Sequence, residues 1–337
     1  MFSTITKRMW KFGTFSYFST NRESPRVLIT GSLGQLGQGL GALLKESCGN
    51  GNVVMSDIKK PSKLSVRNVD PFAYADVADE RSIHELVVQR DVNWIIHFSA
   101  LLSAVGESNI EKAIQVNLRG VTNVLNAAKE HCCRIFIPST IGAFGPSTPR
   151  DNTPDVTIQR PRTIYGVSKV YAELMGEYYH FKFGVDFRSL RLPGIISGDT
   201  MPGGGTTDYA VQIFHDAIKQ GKHECYLKAD TRLPMMYIDD CLRSIVEFMN
   251  VPDKELKQRT YNVAAMSFTP DEIAREIQRH FPSFKITYNV CPTRQAIADS
   301  WPMALDDTNA RKDWNWQNEY DLKRMVEVMI DIVRRNR

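Results

Sequence analysis

The stretch VLITGSLGQLG at residues 27–37 decides the fold that this sequence predicts. Its opening residues are apolar or β-branched and predict a buried strand, and residues 35–46 predict a helix. Between them, glycines recur with the spacing GxxGxxG. Glycine lets a backbone approach a pyrophosphate closely, and a helix N-terminus offers free N–H groups to an anion. The stretch therefore predicts a dinucleotide site formed by Gly31, Ser32, Leu33, Gly34, Gln35, Leu36 and Gly37.

An acid at the end of the second predicted strand indicates which dinucleotide binds. Residues 53–56 predict this strand, and Asp57 follows it, 20 residues after Gly37. A carboxylate at this position accepts both hydroxyls of the adenosine ribose and repels a 2′-phosphate. We therefore expect NAD as the cofactor, with Lys59 and Lys60 keeping NADP open as an alternative.

Short apolar runs alternate with helical stretches from residue 26 to about residue 195. This alternation predicts a doubly wound α/β fold of Rossmann type, with a parallel sheet covered on both faces. The further predicted strands lie near 72–75, 94–98, 134–137 and 187–192, and the helices over 80–89, 110–130 and 163–182. Because the alternation ends there, we expect a NAD-binding domain over 26–195 and a smaller C-terminal α/β substrate lobe over 196–337. The boundary is soft, since such lobes can contribute elements to the main sheet.

Composition restricts the classes of function. Of the 337 residues, 42% are hydrophobic and 24% are charged, which is typical of a globular protein with a sizeable core. The net charge is +4, and residues 1–26 carry the excess. The remaining chain is neutral, so nucleic-acid binding is not expected. No apolar run is long enough to predict a membrane-spanning helix.

Residues 1–25 have the composition of a mitochondrial transit peptide. They are rich in serine and threonine, and no acid precedes Glu23. In a helix, one face carries Phe2, Ile5, Met9 and Phe12, and the opposite face carries Lys7, Arg8 and Lys11. The alternative is a cytosolic tail with a chance periodicity. A secretory signal is disfavoured because the segment has no unbroken apolar run.

The six cysteines give no sign of a disulfide framework or a metal site. They are scattered, without a CxxC pair, and no cysteine–histidine spacing suits zinc. The segment His131-Cys132-Cys133 is too short to supply a ligand set by itself. We therefore expect reduced thiols and no bound metal.

Tyr165 and Lys169 form the candidate catalytic pair. Their i, i+4 spacing places both on one face of the helix predicted over 163–182. The ammonium is then expected to lower the pKa of the phenol, which makes Tyr165 a base near neutral pH. Thr140 lies 25 residues upstream at the end of a predicted strand, where its hydroxyl can meet the same substrate oxygen. A chance pair on the surface would not explain this third residue.

Over residues 26 to about 330, the chain resembles the extended short-chain dehydrogenase/reductases, the group that includes the UDP-sugar epimerases. The segments that carry the resemblance are HFSALLSAVGE (97–107), IPSTIGAFGP (137–146), RPRTIYGVSK (160–169), LPGIISGDTMPGGGTTDYAVQIF (192–214), TRLPMMYIDDC (231–241) and DSWPMALDDTNARKDW (299–314). One departure from the broad pattern is Thr140, where serine is commoner. Threonine keeps the hydroxyl but adds a methyl group.

Within this group, the resemblance implies NAD-dependent oxidation of the β-hydroxyl of L-threonine to 2-amino-3-oxobutanoate. Tyr165 would take the hydroxyl proton, Lys169 would hold the nicotinamide ribose, and Thr140 would hydrogen-bond the reacting oxygen. The product would pass to a coenzyme A-dependent ligase or lyase, towards glycine and acetyl-CoA. The resemblance also implies a homodimer, formed through a helix bundle that contains the Tyr165 helix.

The predicted cofactor site extends beyond the glycine turn. Asp76 and Val77 follow the third predicted strand and are placed to meet the adenine, although Asp76 can also be an ordinary turn acid. Asn117 either supports Lys169 through water or is an amide on a helix face. The remaining predicted cofactor contacts are Ile58, Ser99, Ala100, Leu101, Leu192, Pro193 and Ile195.

A zwitterionic amino acid needs partners for both of its charges. Ser103 can donate to the carboxylate, and Gly205-Thr206-Thr207 is expected to open a helix whose free N–H groups attract it. Asp208 is either the partner of the ammonium or a helix cap. Trp301 either closes the substrate pocket or belongs to the core.

Two other functions are open on the sequence alone. The first is a UDP-sugar 4-epimerase or dehydratase, with Arg232 and Arg294 as binders of the diphosphate. The GGGTTDY stretch at 203–209 argues against it, because it suits a compact ligand. The second is a dinucleotide-sensing protein without catalysis, which the set of Thr140, Tyr165 and Lys169 disfavours.

Overall fold

The computed structural model describes residues 24–61, 69–199 and 205–336. Nearly all of the predicted transit peptide, residues 1–23, lies outside these ranges. The strands are β1 (Val27–Thr30), β2 (Val53–Asp57), β3 (Phe72–Tyr74), β4 (Trp94–His97), β5 (Arg134–Phe136), β6 (Ser139–Thr140), β7 (Phe187–Leu192), β8 (Gly194–Ile196), β9 (Lys222–Cys225), β10 (Leu233–Tyr237), β11 (Thr260–Asn262), β12 (Met266–Phe268) and β13 (Lys285–Tyr288).

The helices fill the connections between these strands. They are α1 (Gln35–Cys48), α2 (Glu80–Gln89), α3 (Ser103–Ser108), α4 (Ile110–Ala113), α5 (Gly120–Glu130), α6 (Ile164–Phe183), α7 (Tyr209–Gln220), α8 (Ile238–Asn250), α9 (Pro270–Gln278), α10 (Pro292–Asp299), α11 (Thr308–Trp314) and α12 (Leu322–Arg335). Among the described helices, none is both long and apolar enough to cross a bilayer.

The main sheet is parallel and has the strand order β11-β7-β5-β4-β1-β2-β3, with β6 paired to β7. The predicted doubly wound Rossmann fold is therefore confirmed. The chain runs outward from β1 to β3 on one side and then continues from β4 on the other. This change of direction opens a crevice at the carboxyl ends of β1 and β4, which is where ligands bind in such sheets.

Helices cover both faces of the sheet, and so β1 is buried throughout. Val27 and Ile29 point into the larger core, towards α1 and the C-terminal elements. Leu28 points to the opposite face, into the core formed with α2, α5 and α6. This alternation explains why the strand reads as a continuous apolar run instead of an alternating one.

The C-terminal residues do not form a separate layer. Two small sheets, β8-β10-β12 and β9-β13, lie beyond β7. However, β11 pairs with β7 in the main sheet, and Leu242 of α8 contacts α1 at Gly39. Residues well past 195 therefore complete the main sheet, as the soft boundary allowed.

The region predicted as one helix over 110–130 is interrupted. Residues Ile114–Arg119 form a π-helical segment between α4 and α5. Such segments are rare and often occur at functional sites. The extra residue is not visible as a periodicity in the sequence, so this feature was not predicted.

Gly176 of α6 provides a test of the packing between this helix and the sheet. A Cβ atom there would lie 2.2 Å from ring carbons of Phe187 in β7. We expect Gly176→Ala to lower the free energy of unfolding by about 1–3 kcal/mol, because overpacking forces neighbouring groups to shift. Gly51→Ala is the matched control, since a Cβ atom there meets nothing within 4 Å. Denaturant unfolding measures both, and equal stability of the two variants would contradict the close contact.

Candidate active site

The glycine turn lies in the crevice at the carboxyl ends of β1 and β4. Gly31 has φ +66°, and a Cβ atom on it would lie 2.6 Å from the backbone nitrogen of Ser99. A Cβ atom on Gly37 would lie 2.6 Å from Cα of Ser32. Only glycine fits at these two positions, so the turn stays thin enough for a ligand to approach its backbone.

The carboxylate of Asp57 lies beside this turn. Its Oδ2 accepts the Leu33 N–H at 3.1 Å, and its Oδ1 accepts the Lys59 N–H at 3.0 Å. Helix α1 begins after Gly34, which provides no side-chain cap, and no acid lies in the first turn of this helix. The thin turn, the uncapped helix end and the acid on the neighbouring strand together fit a pyrophosphate and an adenosine ribose, as NAD requires.

The residues predicted near the adenine lie where β3 ends. Oδ1 of Asp76 accepts the Ala78 N–H at 2.9 Å, so this carboxylate stabilises its own turn. Val77 is buried, and its carbonyl accepts Nδ2 of Asn123 at 2.8 Å. Ile58 is exposed beside Asp57. The adenine contacts stay predictions.

Asn117 in the π-helical segment joins two parts of the site. Its Oδ1 accepts the Leu101 N–H at 2.8 Å, and its Nδ2 donates to the Leu101 carbonyl at 2.9 Å. Nδ2 also lies 3.3 Å from Oγ of Ser168, next to Lys169. Asn117 therefore fixes the loop after β4, which contains Ser99 and Ala100, against α6.

The structure brings Thr140, Tyr165 and Lys169 together. Thr140 ends β6, and its hydroxyl lies near the phenol of Tyr165 on α6, close enough to affect the pKa of that phenol. Nζ of Lys169 lies 5.6 Å from the centre of the Tyr165 ring and donates to the carbonyl of Pro138 at 2.8 Å. One helix and one strand end thus supply a phenol, an ammonium and a hydroxyl to a single point.

The expected lowering of the Tyr165 pKa is wrong for the protein by itself. Burial raises the pKa of Tyr165 to about 12, and the hydrogen bond from Thr140 only partly opposes this. Burial also lowers the pKa of Lys169 to about 8, although the carboxylate of Glu173 acts in the opposite direction. The sequence predicted that Lys169 lies near the phenol, but it did not show that the phenol itself is buried.

Glu173 is a buried acid that the sequence interpretation missed. It lies one helical turn beyond Lys169, and both of its oxygens bind Arg191 of β7, at 2.7 and 2.9 Å. It also accepts hydrogen bonds from Ser139 and, at 2.9 Å, from Gln159. The i, i+8 spacing from Tyr165 is the signal that could have placed it on the catalytic face.

His97 is a second residue that was missed, at the end of β4. Its Nδ1 shares a hydrogen bond of 2.8 Å with the Thr30 hydroxyl. Its Nε2 has no hydrogen-bond partner among the described residues, and the ring borders a small cavity also lined by Asn117, Ser168 and Lys169. Burial, reinforced by the nearby Lys169 ammonium, lowers the pKa of His97 to about 3. The ring is therefore neutral at physiological pH.

The predicted nicotinamide wall adjoins the catalytic residues. Leu192 is the register partner of Thr140, and Pro193 follows it between β7 and β8. Leu192 and Pro193 are buried, whereas Ile195 is half-buried. The sheet thus places Leu192 next to Thr140, and the contact of these three residues with a nicotinamide stays a prediction.

The predicted substrate residues are only partly supported by the geometry. The N–H of Gly205 donates to Oδ2 of Asp208 at 2.7 Å, so the expectation that this N–H is free is wrong. Thr206 is buried, and Thr207 packs against Gly194. A carboxylate site in this loop would therefore depend on Thr206 and Thr207.

Ser103 and Trp301 are the two remaining predicted substrate residues. The Ser103 backbone begins α3, but the position of its side chain lies outside what the structure describes. Trp301 is half-buried and packs against the small cluster of Ile141, Phe144 and Leu305 and also against the larger core. Trp301 therefore joins this cluster, which follows Thr140 in the chain, to the larger core.

The arginines of the sugar-nucleotide alternative have protein partners. Arg232 donates to Glu272 at 2.5 Å and to the carbonyl of Ser267 at 2.7 Å. The guanidinium of Arg294 lies 4.1 Å from the centre of the Tyr226 ring. Arg232 therefore uses N–H donors within the protein, whereas the ring contact of Arg294 does not engage its N–H donors.

Comparison with known proteins agrees with this geometry. Residues 27–264 match the model of the NAD dependent epimerase/dehydratase family. The chain is 60% identical over 309 residues to a protein of Bos taurus named "L-threonine 3-dehydrogenase, mitochondrial". The aligned residues cover 92% of this chain and 83% of that protein.

Solved structures show the same likeness. The L-threonine dehydrogenase of Phytophthora infestans is 51% identical, with a TM-score of 0.90 over 93% of this chain and 100% of the other. The L-threonine dehydrogenase of Clostridium difficile is 44% identical, with a TM-score of 0.91 over 94% and 99%. This chain belongs to the NAD-dependent epimerase/dehydratase family.

The Glu173–Arg191 pair is expected to be essential for stability. Replacing Glu173 with Gln leaves the buried Arg191 without its counter-charge, and breaking such a pair costs about 3–5 kcal/mol. The control is Glu85→Gln, because Glu85 binds Arg81 in an exposed pair on α2. That change should cost less than about 1 kcal/mol. Chemical unfolding measures both, and a Glu173→Gln protein as stable as the control would refute the role.

Proposed function

We propose that this chain catalyses the NAD-dependent oxidation of the β-hydroxyl of L-threonine, which gives 2-amino-3-oxobutanoate. The observation that carries the proposal is the meeting of Thr140, Tyr165 and Lys169 beside the glycine turn. The relatives named L-threonine dehydrogenase support the choice of substrate, since they match nearly the whole chain. NAD supplies the acceptor for the hydride that leaves Cβ.

Each catalytic residue has a separate task in this reaction. Tyr165 takes the proton of the substrate hydroxyl, which lets the carbonyl form as hydride leaves. Thr140 lies near the phenol, so its hydroxyl can hold the same substrate oxygen. Lys169 is held by the Pro138 carbonyl, and its ammonium favours the phenolate. A positive charge on the oxidised nicotinamide acts in the same direction.

Substrate binding involves residues around this pair. We assign the carboxylate to Ser103, Thr206 and Thr207, and we assign Trp301 to the wall of the pocket. Trp301 packs against the apolar cluster of Ile141, Phe144 and Leu305. In this proposal these side chains keep water away from the reacting oxygen. Two side chains of this cluster follow Thr140 closely in the chain.

The decisive experiment measures NADH release with L-threonine, L-allo-threonine, L-serine and a UDP-hexose. L-Threonine should react best. Inverting Cβ misplaces the departing hydrogen, which can lower the rate about 100-fold. Serine loses a methyl contact worth about 1–3 kcal/mol.

Tyr165→Phe should reduce kcat by about 10²–10⁴-fold, because the variant lacks the group that accepts the proton. Wild-type activity should also rise with pH above 7, because burial keeps Tyr165 protonated at neutral pH.

The epimerase alternative gives the opposite result in the same assay. It produces no NADH from L-threonine and interconverts UDP-sugars while it retains the cofactor. A protein that binds NAD but turns over none of these compounds would support the non-catalytic alternative.

Asp57→Ala tests the preference for NAD. The variant should bind NAD more weakly and discriminate less against NADP, because it lacks the ribose acceptor and the repelling charge. Fluorescence titration with both dinucleotides measures the change. The control is Asp79→Ala, since Asp79 caps α2. An unaltered NAD/NADP ratio in Asp57→Ala would contradict the assignment.

We also propose that the protein is mitochondrial, with residues 1–25 as the import signal. The relative from Bos taurus is named mitochondrial, and the segment is basic, amphipathic and poor in acids. Incubating the full chain and a chain without residues 1–25 with isolated mitochondria tests this proposal. Equal import of both chains would contradict it.

A homodimer through α6 is the proposed assembly. This helix exposes apolar side chains at Val167, Leu174, Tyr178 and Phe181, the last with 81% of its surface accessible. A second copy of the same helix would bury them. Sedimentation of wild type and of Phe181→Asp tests this assembly, and a monomeric wild type would contradict it.

We further propose that the β-keto acid product is consumed by a coenzyme A-dependent ligase or lyase.

A further inference from the structure

A cluster of metal-binding side chains lies far from the catalytic pair along the chain, between α2 and the end of α5. Nδ1 of His84 is 3.1 Å from Nε2 of His131 and 3.3 Å from Oε2 of Glu130. One donor atom from each residue lies within 4.8 Å of the other two. Across residues 24–61, 69–199 and 205–336, no other group of three or more such residues comes this close.

Two of the three distances between the donor atoms are close to those of a tetrahedral metal site. Zinc binds histidine nitrogen and carboxylate oxygen at about 2.0–2.2 Å, which places two such ligand atoms about 3.3–3.5 Å apart at the tetrahedral angle. The distances from Nδ1 of His84 are 3.1 and 3.3 Å. Two imidazoles with one carboxylate also suit Zn²⁺ better than Mg²⁺ or Ca²⁺, which prefer oxygen ligands.

We propose that His84, Glu130 and His131 bind one divalent transition-metal ion, with Zn²⁺ as the best match. The ion would join α2 to α5. Its fourth position would hold water, since about half of the Glu130 side chain is exposed.

The residues around the cluster favour this role. Nε2 of His84, on the far side of the ring, is 3.9 Å from Oε1 of Glu80. Nδ2 of Asn126 donates to the same oxygen at 2.8 Å, and the Tyr179 hydroxyl donates to Oδ1 of Asn126 at 2.7 Å. Metal-binding histidines commonly face a carboxylate with their other nitrogen.

Nδ1 of His84 is the nitrogen that faces His131 and Glu130. In the tautomer of His84 with the hydrogen on Nε2, Nδ1 has a free lone pair for an ion. Without an ion, the close nitrogens of His84 and His131 share one hydrogen as an N–H···N bond. A metal ion would replace this hydrogen bond, and no side chain would have to move far.

The experiment titrates the metal-stripped full chain with Zn²⁺ by calorimetry and with Co²⁺ by visible absorption. We expect one ion per chain and a higher Tm in the presence of Zn²⁺. His84→Ala and His131→Ala should each weaken binding at least tenfold. Glu80→Gln, which keeps all three ligands, should weaken it about 10–100-fold. Because about half of the Glu130 side chain is exposed, Glu130→Gln removes a ligand with little risk to folding.

Matched controls separate this site from incidental binding. Cys132 is exposed and adjacent to His131, and His280 is exposed in another part of the protein. Cys132→Ser and His280→Ala should therefore bind Zn²⁺ like wild type. The proposal is overturned if wild type shows no saturable binding. It is equally overturned if binding survives His84→Ala and Glu130→Gln, or if it is lost only in Cys132→Ser.

Discussion

Glu173 is 2% exposed, and its charge is balanced by the guanidinium of Arg191 on the central sheet. An unpaired charge at this depth would cost several kcal/mol, so the two residues must stay together. This pair connects α6 to β7, and Ser139 connects the same carboxylate to β6. The phenol and ammonium lie on α6, and the hydroxyl of Thr140 lies on β6. A single buried ion pair therefore fixes the relative position of all three candidate catalytic groups.

The carboxyl edge of a parallel sheet supplies the other half of the site. Every strand of the main sheet points the same way, so the loops after β1, β2 and β4 meet at one edge. The close approach of Gly31 to Ser99 lets a cofactor lie across this edge. Asn117 then joins the loop after β4 to α6, and so it connects the candidate cofactor site to the candidate catalytic residues.

Much of the fold and of the candidate site could be predicted because the relevant residues are close in sequence. The glycine turn with α1, the acid after β2 and the Tyr165–Lys169 pair each lie within one continuous segment. Properties that arise from packing could not be predicted in the same way. The pKa of Tyr165 depends on burial, and the partner of Glu173 comes from a different strand. His84 and His131 are 47 residues apart and meet only because α2 packs beside α5.

The π-helical segment at Ile114–Arg119 restricts how the number of residues in this region can change. One residue spans about 100° around an α-helix. A π-helical turn takes up one extra residue, so deleting a residue here would restore regular α-helical geometry and leave the helices on either side in register, but residues of the segment itself would turn about the helix axis by up to that angle. The amide of Asn117 would then point away from Leu101. Natural variants of this protein should therefore exchange residues within the segment more readily than they lose one. A shortened segment in a related chain would mark a protein whose β4 loop is held in some other way.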